Sequence, residues 1–291
     1  MPSRSSLSLL VILPLLFATG CLHRPSSAVV VTGTLSGEIV WEGEVQLGGD
    51  VILTPGGHLT ILPGTTVRFL PADGFPAGLS EHPYFSGSEL IIQGKLTAIG
   101  TAAAPISFRA ADDAAPAGSW GAINFEGGAE GLFVHCILRQ ADSAIHSRES
   151  SVYIEESLLE ENLAGIRFNS SVMLIERNLL RGNTTAIRFH FGEPVVCNNR
   201  FEGNRVNLFI TSHPRDYLFE NNIFGAPLDY QVVLGEEVPE DVQLSGNYWG
   251  RGATDSALVS IFDGRRDPYL GRVLIEPQLT APAEGGPAWI R

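Results

Sequence analysis

The second half of the chain is built from short apolar runs that recur every 21 residues or so. Within each run, apolar side chains stand two positions apart, which is the spacing of residues on one face of a β-strand. The pattern therefore predicts one strand per repeat. The runs begin at Ala144-Ile145, Gly165-Ile166, Ala186-Ile187 and Asn207-Leu208.

Two further sets of positions keep the same period. One is a second set of apolar runs, at Val152-Ile154, Met173-Ile175, Pro194-Val196 and Tyr217-Phe219. The other is a column of polar residues, each followed two positions later by a large apolar residue: Ser157, Asn178, Asn199, Asn222 and Asn247. A shared register in three columns is typical of stacked coils, because a coil of about 20 residues buries its apolar face only against its neighbours. The sequence thus predicts an all-β fold, a single-stranded parallel β-helix with coils of about 21 residues. An antiparallel sandwich is the alternative, and it does not explain the shared register.

The polar column predicts a ladder of side-chain hydrogen bonds, in which stacked Asn amides donate and accept along the column. We interpret Asn162, Asn183 and Asn204 as a second turn, where Asn tolerates left-handed backbone geometry. The register also separates Cys136 from Cys197 by three coils, or about 14 Å at the spacing of paired strands. That separation is beyond the reach of a disulfide, so both are expected to be free thiols.

The looser coils before residue 130 carry a series of short motifs. They are Pro63-Gly64-Thr65-Thr66-Val67-x-Phe69, Gly94-Lys95-Leu96-x-Ala98-x-Gly100-Thr101, Pro105-Ile106-x-Phe108 and Trp120-Gly121-x-Ile123-x-Phe125. Towards the other end the motifs are Gly246-Asn247-Tyr248-Trp249-Gly250, Ile261-Phe262-Asp263-Gly264 and Val273-x-Ile275-x-Pro277. In this order they resemble the opening and closing coils of bacterial right-handed parallel β-helix repeat proteins with the pectin-lyase-like fold.

This resemblance implies a right-handed β-helix domain over residues 30–280, with a loop excursion at 70–88 and a closing segment at 246–280. It implies little about activity, because the architecture hosts many unrelated functions.

The amino terminus has the features of an export signal. One positive charge precedes an apolar run from Leu7 to Phe17, which is too short to span a bilayer as a permanent helix. The segment Ala18-Thr19-Gly20-Cys21 resembles the bacterial lipobox, which implies lipidation of Cys21 and, since no aspartate follows it, attachment to the outer membrane at the cell envelope. Ordinary cleavage without lipidation is the alternative. The chain then divides into a signal peptide at 1–20, a tether at 21–29, the β-helix domain at 30–280 and a flexible tail at 281–291.

The charge balance narrows the set of partners. The chain has 32 acidic against 19 basic side chains, whereas nucleic-acid binding needs clustered Lys and Arg. We expect no nucleic-acid partner, no cofactor and no metal. Asp112-Asp113 is the only adjacent pair of aspartates, and we interpret it as a solvated turn rather than a calcium site. Hydrolases of the resembled family use clustered aspartates with Gly-His-Gly and Arg-x-Lys segments, and neither segment occurs in this sequence.

The outward positions of the first strand column give the candidate binding site. Ile166 and Phe168 face inward, so the alternation turns Arg167 outward. Arg forks match carboxylates and an exposed ring stacks on a sugar, so a basic strip on this acidic protein suits an anionic polysaccharide. The alternative is that these side chains are solvated and pair with nearby Glu. The candidate binding residues are His146, Arg167, Arg188, His190 and Phe209.

Three functions fit these features. The first, which we predict, is an exported, lipid-anchored scaffold or binding protein, with the membrane as its anchor and an acidic polysaccharide or an envelope protein as its partner. The second is a lyase or glycoside hydrolase acting on acidic polysaccharide, which requires a groove with convergent carboxylates or bound calcium. The third is a structural envelope protein without a ligand. The features favour binding over catalysis, and they leave the ligand open.

Overall fold

The strands follow the predicted alternation of inward and outward side chains. In the strand Val172–Glu176, Met173 and Ile175 are fully buried, whereas Val172 is 52% exposed. Inward residues of this kind pack into one continuous core that runs through the stack of coils. The structure is a computed structural model, and it describes residues 29–71, 85, 87–250 and 260–290.

The coils contribute strands, numbered here in chain order, to three faces. Face 1 contains β6 (Leu90–Ile92), β9 (Trp120–Glu126), β12 (Ala141–Arg148), β15 (Ala164–Asn169), β18 (Thr185–His190), β21 (Val206–Ser212), β24 (Tyr230–Glu237) and β26 (Ile261–Phe262). Face 2 contains β2 (Glu38–Trp41), β4 (His58–Ile61), β7 (Lys95–Ile99), β10 (Glu130–Val134), β13 (Ser151–Glu155), β16 (Val172–Glu176), β19 (Glu193–Cys197) and β22 (Leu218–Glu220). Face 3 contains β5 (Thr66–Phe69), β8 (Ile106–Ala110), β11 (Cys136–Arg139), β14 (Leu158–Glu160), β17 (Leu179–Arg181), β20 (Arg200–Glu202) and β23 (Ile223–Phe224).

Two long strands connect the faces. The strands β1 (Val29–Leu35) and β3 (Glu44–Leu53) each run along both face 1 and face 3, so these two faces belong to one 17-stranded sheet. A separate short pair consists of β25 (Val242–Gln243) and β27 (Val273–Leu274).

The strands of each face pair in parallel and keep the 21-residue register. On face 2, Glu130 pairs with Ser151, Ser151 with Val172 and Val172 with Glu193, each 21 positions further along. Such pairing between successive coils is that of a solenoid and not of a sandwich or a closed barrel. The predicted fold class, an all-β parallel β-helix, is therefore confirmed.

A ladder of amides runs through the turn between faces 2 and 3. Each Asn of the column donates from Nδ2 to Oδ1 of the next at 2.9 to 3.1 Å, and the backbone N–H of Ser157 donates to the first of them, Asn178. Asn178 Nδ2 also donates to the carbonyl of Ile154 in the preceding coil. Every residue of the ladder is fully buried with its amide or hydroxyl satisfied: Ser157, Asn178, Asn199, Asn222 and Asn247.

A second ladder lies in the turn between faces 3 and 1, which corrects the role that the sequence suggests for Asn162, Asn183 and Asn204. Asn162 Nδ2 donates to Asn183 Oδ1, and Asn183 Nδ2 donates to Asn204 Oδ1, both at 3.0 Å. Their amides, and not a tolerance of left-handed geometry, account for their positions. The left-handed conformation belongs to the residue before each of them, with φ between 56° and 64°: Glu161, Gly182 and Gly203.

The cysteines of the described chain are as predicted. Cys136 and Cys197 are both free and buried. Cys136 lies in the polar column, where its backbone N–H donates to Ser157 Oγ at 3.0 Å. The stacked coils thus keep the two thiols apart.

Residues of the segment 281–291, which the sequence predicts as a flexible tail, form hydrogen bonds with the coils. Trp289 Nε1 donates to the carbonyl of Glu156 at 2.7 Å, and the backbone N–H of Gly286 donates to the carbonyl of Asn198 at 2.8 Å. The Pro/Gly-rich composition predicts fraying but leaves open that Trp289 packs on the stack, and its indole does bond to the turn at Glu156.

Several predicted features lie outside the described residues. They are the signal peptide, Cys21 and most of the tether, together with residues 72–84 and 86 of the excursion, residues 251–259 of the closing segment and residue 291 of the tail. Within the described part of the chain, no helix is long and apolar enough to cross a membrane.

Candidate functional site

The predicted strip is a row of side chains on face 1. In the pairing register, His146 of β12 lies beside Arg167 of β15, Arg167 beside Arg188 of β18, and Arg188 beside Phe209 of β21. His190 lies at the end of β18, two residues beyond Arg188. Because paired strands are about 4.8 Å apart, the structure brings all five residues together.

Four of the five residues, all except Phe209, line a cleft rather than a plain surface. The cleft has a volume of about 390 Å³, which is within the range of small-molecule sites. Its three arginines point to an anionic ligand, and the described lining contains no carboxylate. Phe209 is not part of that lining, which consists of His146, Arg148, Arg167, Phe168, Asn169, Arg188, Phe189, His190 and Thr211.

The arginines of the cleft have no acidic partner within the described chain. No carboxylate of those residues lies within 4.0 Å of the guanidinium of Arg148, Arg167 or Arg188. Among the described residues, therefore, no Glu pairs with these three arginines as the alternative requires. Burial, followed by the positive charge of Arg167, lowers the pKa of Arg188. Arginines elsewhere on the coils do form ion pairs, among them Arg139, Arg177, Arg181, Arg200 and Arg205.

Aromatic rings hold two of these guanidinium groups. The Arg188 guanidinium carbon lies 4.9 Å from the centroid of Phe209, and that of Arg167 lies 5.7 Å from the centroid of Phe85. Cation–π contacts of this kind stabilise a desolvated charge. The sequence suggests Phe209 as a ring that stacks on a sugar, whereas here it stacks under Arg188 and orients that cation.

His146 differs most from its predicted character. The alternation suggests an outward, charged side chain, but His146 is only 6% exposed. Its Nδ1 lies 2.7 Å from Asn124 Oδ1, and the ring of Phe85 packs against it at 5.3 Å between centroids. Burial, and then the positive charges of Arg167 and Arg148, lower the pKa of His146 to about 3. At neutral pH it is therefore an uncharged imidazole.

The predicted site does not include two residues that lie behind the strip, Asn124 and Glu89. Asn124 pairs in register with His146, and its Nδ2 donates to Glu89 Oε2 at 3.3 Å. Burial, followed by the charge of Asp50, raises the pKa of Glu89 to about 8. The register could have predicted Asn124, because it pairs with His146 and lies in the row of the strip one coil earlier. No repeat signal points to Glu89, because it lies beside the excursion.

His190 has an internal partner that the arginines lack. Its Nδ1 lies 2.6 Å from Ser212 Oγ, which donates to Glu237 Oε2, also at 2.6 Å. The hydroxyl has one proton, so it accepts the Nδ1–H of His190. Glu237 Oε2 is 3.8 Å from His190 Nε2. His190 is thus oriented by a hydrogen-bonded chain at the edge of the cleft.

Of the two adjacent aspartates, Asp113 contacts arginines, whereas Asp112 Oδ1 accepts from the backbone N–H of Ala114 at 2.9 Å. Asp113 Oδ1 accepts from Arg68 Nη1 at 2.8 Å and lies 3.1 Å from Arg109 Nη1. The hydrogen bond from Arg68 is the largest cause of the lowered pKa of Asp113. Among the described residues, no group of three or more His, Cys, Asp and Glu side chains is arranged to hold a metal ion.

Comparisons with protein-family models, with curated proteins and with solved structures found no significant match to this chain. The assignment of the fold therefore rests on the repeat and on the parallel sheets, which are those of a β-helix-like solenoid.

Proposed function

We propose that this protein binds acidic polysaccharide and that the cleft on face 1 is its ligand site. The observation that carries the proposal is the pair Arg167 and Arg188, adjacent on neighbouring strands and without an acidic partner in the described chain. Like charges opposite each other on a sheet repel. An anion between them relieves the repulsion and accepts hydrogen bonds from two guanidinium forks.

The distribution of charge favours a sugar acid over a densely charged polymer. The net charge of −13 opposes the binding of densely charged polymers such as nucleic acids most strongly. The described lining of the cleft groups three arginines without a carboxylate, and Asn169 and Thr211 add neutral hydrogen-bonding groups to it. A polysaccharide with one carboxylate per sugar and neutral hydroxyls between carboxylates has the matching composition.

The proposal is tested by measuring how strongly a column of immobilised polygalacturonate retains the purified protein. The substitutions Arg167→Ala and Arg188→Ala together are expected to weaken binding about tenfold or more, because two charge-assisted contacts are lost. The matched control is Arg200→Ala with Arg205→Ala, which removes the same charge from arginines that have acidic partners outside the cleft. Equal retention of the parent protein and both double variants would overturn the proposal, and so would an equal loss in both variants.

We also infer that the protein acts at the cell envelope as a lipid-anchored member of the pectin-lyase-like β-helix proteins. The support is the apolar run from Leu7 to Phe17 and the lipobox-like segment that ends at Cys21. Several acyl chains on one cysteine anchor stably, because each buried methylene contributes about 0.8 kcal/mol. Growth with a labelled fatty acid is expected to label the protein but not its Cys21→Ser variant. An unlabelled parent protein would contradict the anchor.

A catalytic role for the same cleft has less support. Glycoside hydrolysis uses two carboxylates about 5 to 10 Å apart, and the described lining holds none. A general base works best with a pKa near the working pH, whereas the pKa of His146 is about 3. Incubation with polygalacturonate is the direct test. Sustained formation of unsaturated ends that is lost in the Arg167→Ala variant would identify a lyase instead of a protein that only binds.

A further inference from the structure

The cleft contains one side chain, His146, whose presence is not explained by a site that only attracts anions. His146 is uncharged, yet it belongs to the same row as Arg167 and lies one coil away from it. A neutral imidazole has one nitrogen that donates and one that accepts a hydrogen bond. Which nitrogen faces the cleft determines what this position recognises.

The neighbours of His146 fix its tautomer. Asn124 donates from Nδ2 to Glu89, so its amide oxygen is the atom that faces His146. A carbonyl oxygen only accepts, and His146 Nδ1 therefore carries the proton of the 2.7 Å hydrogen bond. The remaining nitrogen, Nε2, has a lone pair and no proton.

Nε2 is open to the cleft. Nε2 has no hydrogen-bond partner among the described residues, and the atom is not fully buried. The ring itself is held by Asn124 on one side and by Phe85, which packs edge to face against it. An uncharged acceptor in a fixed orientation therefore lies on the strand next to that of Arg167, and paired strands are about 4.8 Å apart.

We propose that His146 Nε2 accepts a hydrogen bond from a ligand hydroxyl, so that the cleft selects acids that carry a free hydroxyl near the carboxylate. The inference rests on the proposed function and deepens it. The carboxylate contacts Arg167 and Arg188, and the hydroxyl of the same or the adjoining sugar contacts His146. A second anionic group at that position would meet a lone pair instead of a donor, so fully sulfated or phosphorylated ligands are disfavoured there.

Burial and the nearby arginines support this role over proton transfer. They hold the pKa of the imidazole far below neutrality, so that the ring keeps its lone pair and does not take up a proton. The site therefore offers a hydrogen-bond acceptor throughout the neutral range.

Calorimetric titration with two ligands of equal charge tests the inference. The ligands are trigalacturonate and its O-methyl ether, which keeps the carboxylates but lacks hydroxyl donors. The parent protein is expected to bind trigalacturonate about tenfold more tightly, which is the value of one hydrogen bond to an otherwise unsatisfied acceptor. In the His146→Phe variant, which keeps a ring against Phe85, the two ligands should bind equally. In the Arg167→Ala variant both should bind more weakly while their ratio persists.

Each outcome separates the hydroxyl inference from the proposed function. Equal binding of both ligands by the parent protein overturns hydroxyl recognition and leaves the anion site standing. Binding of neither ligand overturns the proposed function itself. A preference for trigalacturonate that survives in His146→Phe assigns the effect to the bulk of the methyl groups and also overturns the inference. If His146→Phe fails to fold, a deoxy analogue of trigalacturonate, which lacks the hydroxyls without adding methyl groups, replaces the ether, and its equal binding by the parent protein overturns the inference. His58→Phe on face 2 is the control for loss of a histidine.

Discussion

Two regions of this protein stack charged side chains on successive coils, and they balance those charges in opposite ways. Towards faces 2 and 3, acids and bases meet: Glu160 lies between Arg139 and Arg181, and Arg177 contacts Glu155, Glu156 and Glu176. In the cleft of face 1, Arg167 and Arg188 lie side by side, and the described lining contains no carboxylate.

The difference distinguishes structural charge from charge that faces a ligand. A parallel β-helix brings equivalent positions of successive repeats together, whatever their sign. Where the repeats alternate in sign, the row is neutralised internally and contributes to stability. Where the sign repeats, the row costs stability through repulsion, and an external anion offsets that cost.

The largest expected effect comes from Glu89, a buried carboxyl that accepts a hydrogen bond from Asn124 and whose pKa the charge of Asp50 raises further. The native protein keeps the Glu89 proton up to a pKa of about 8, whereas the unfolded chain releases it near its ordinary pKa of 4.5. Between these values the native state binds more protons, so its stability falls as pH rises, by up to roughly 1.4 kcal/mol per pH unit. The Glu89→Gln variant is expected to exceed the parent in stability by on the order of 3 kcal/mol at pH 8, and to resemble it at pH 5.

Urea unfolding at several pH values between 5 and 8 measures this slope. Glu130→Gln is the control, because Glu130 is exposed and lies 3.4 Å from Lys95 Nζ. Parallel stability profiles for the parent and Glu89→Gln would mean that Glu89 is ionised in the native protein.

The next effect concerns Glu160, which is 4% exposed and contacts Arg139 and Arg181. Glu160→Ala leaves two cations without their partner and is expected to reduce the free energy of unfolding by about 2 kcal/mol, since the partly exposed guanidinium groups recover some hydration. Chemical denaturation measures the change. The loss should be smaller in Glu160→Gln, which keeps a hydrogen-bonding carbonyl oxygen, and an unchanged stability in Glu160→Ala would remove the structural half of the comparison.

A smaller effect is expected in the cleft. Arg167→Ala removes the repulsion with Arg188 along with the contact to Phe85, so the free energy of unfolding should change by less than about 0.5 kcal/mol. The same denaturation experiment compares it directly with Glu160→Ala. A loss as large as that of Glu160→Ala would make the strip arginines structural and would refute the contrast between the two regions.

The 21-residue repeat predicts which residues of adjacent coils lie side by side, but it does not predict how deeply each side chain is buried. The 21-residue period alone puts Arg167 beside Arg188, and Asn178 beside Asn199. It does not predict that His146 is buried, because Phe85 covers that ring from the excursion, which interrupts the repeat.

The amide roles show a related limit of the sequence. Asn183 occupies a turn, where left-handed geometry and side-chain bonding are both common for Asn, and the pattern does not distinguish them. Only the backbone shows that Gly182 takes the positive φ, at 64°.

The smallest expected effect at neutral pH is the contribution of His146 protonation to stability. The imidazole is uncharged in the native protein and in most of the unfolded protein, so folding changes its charge little. A titration followed by the ¹⁵N shifts of the ring should find the Nδ1–H tautomer and no protonation until about pH 3. Between pH 6.5 and 3 the unfolded chain takes up a proton here and the native protein does not, so native stability falls as pH falls through that window. A native midpoint near 6.5 would mean that the cleft tolerates an imidazolium beside Arg148 and Arg167. The row would then be cationic throughout, and it would have no neutral acceptor with which to recognise a hydroxyl.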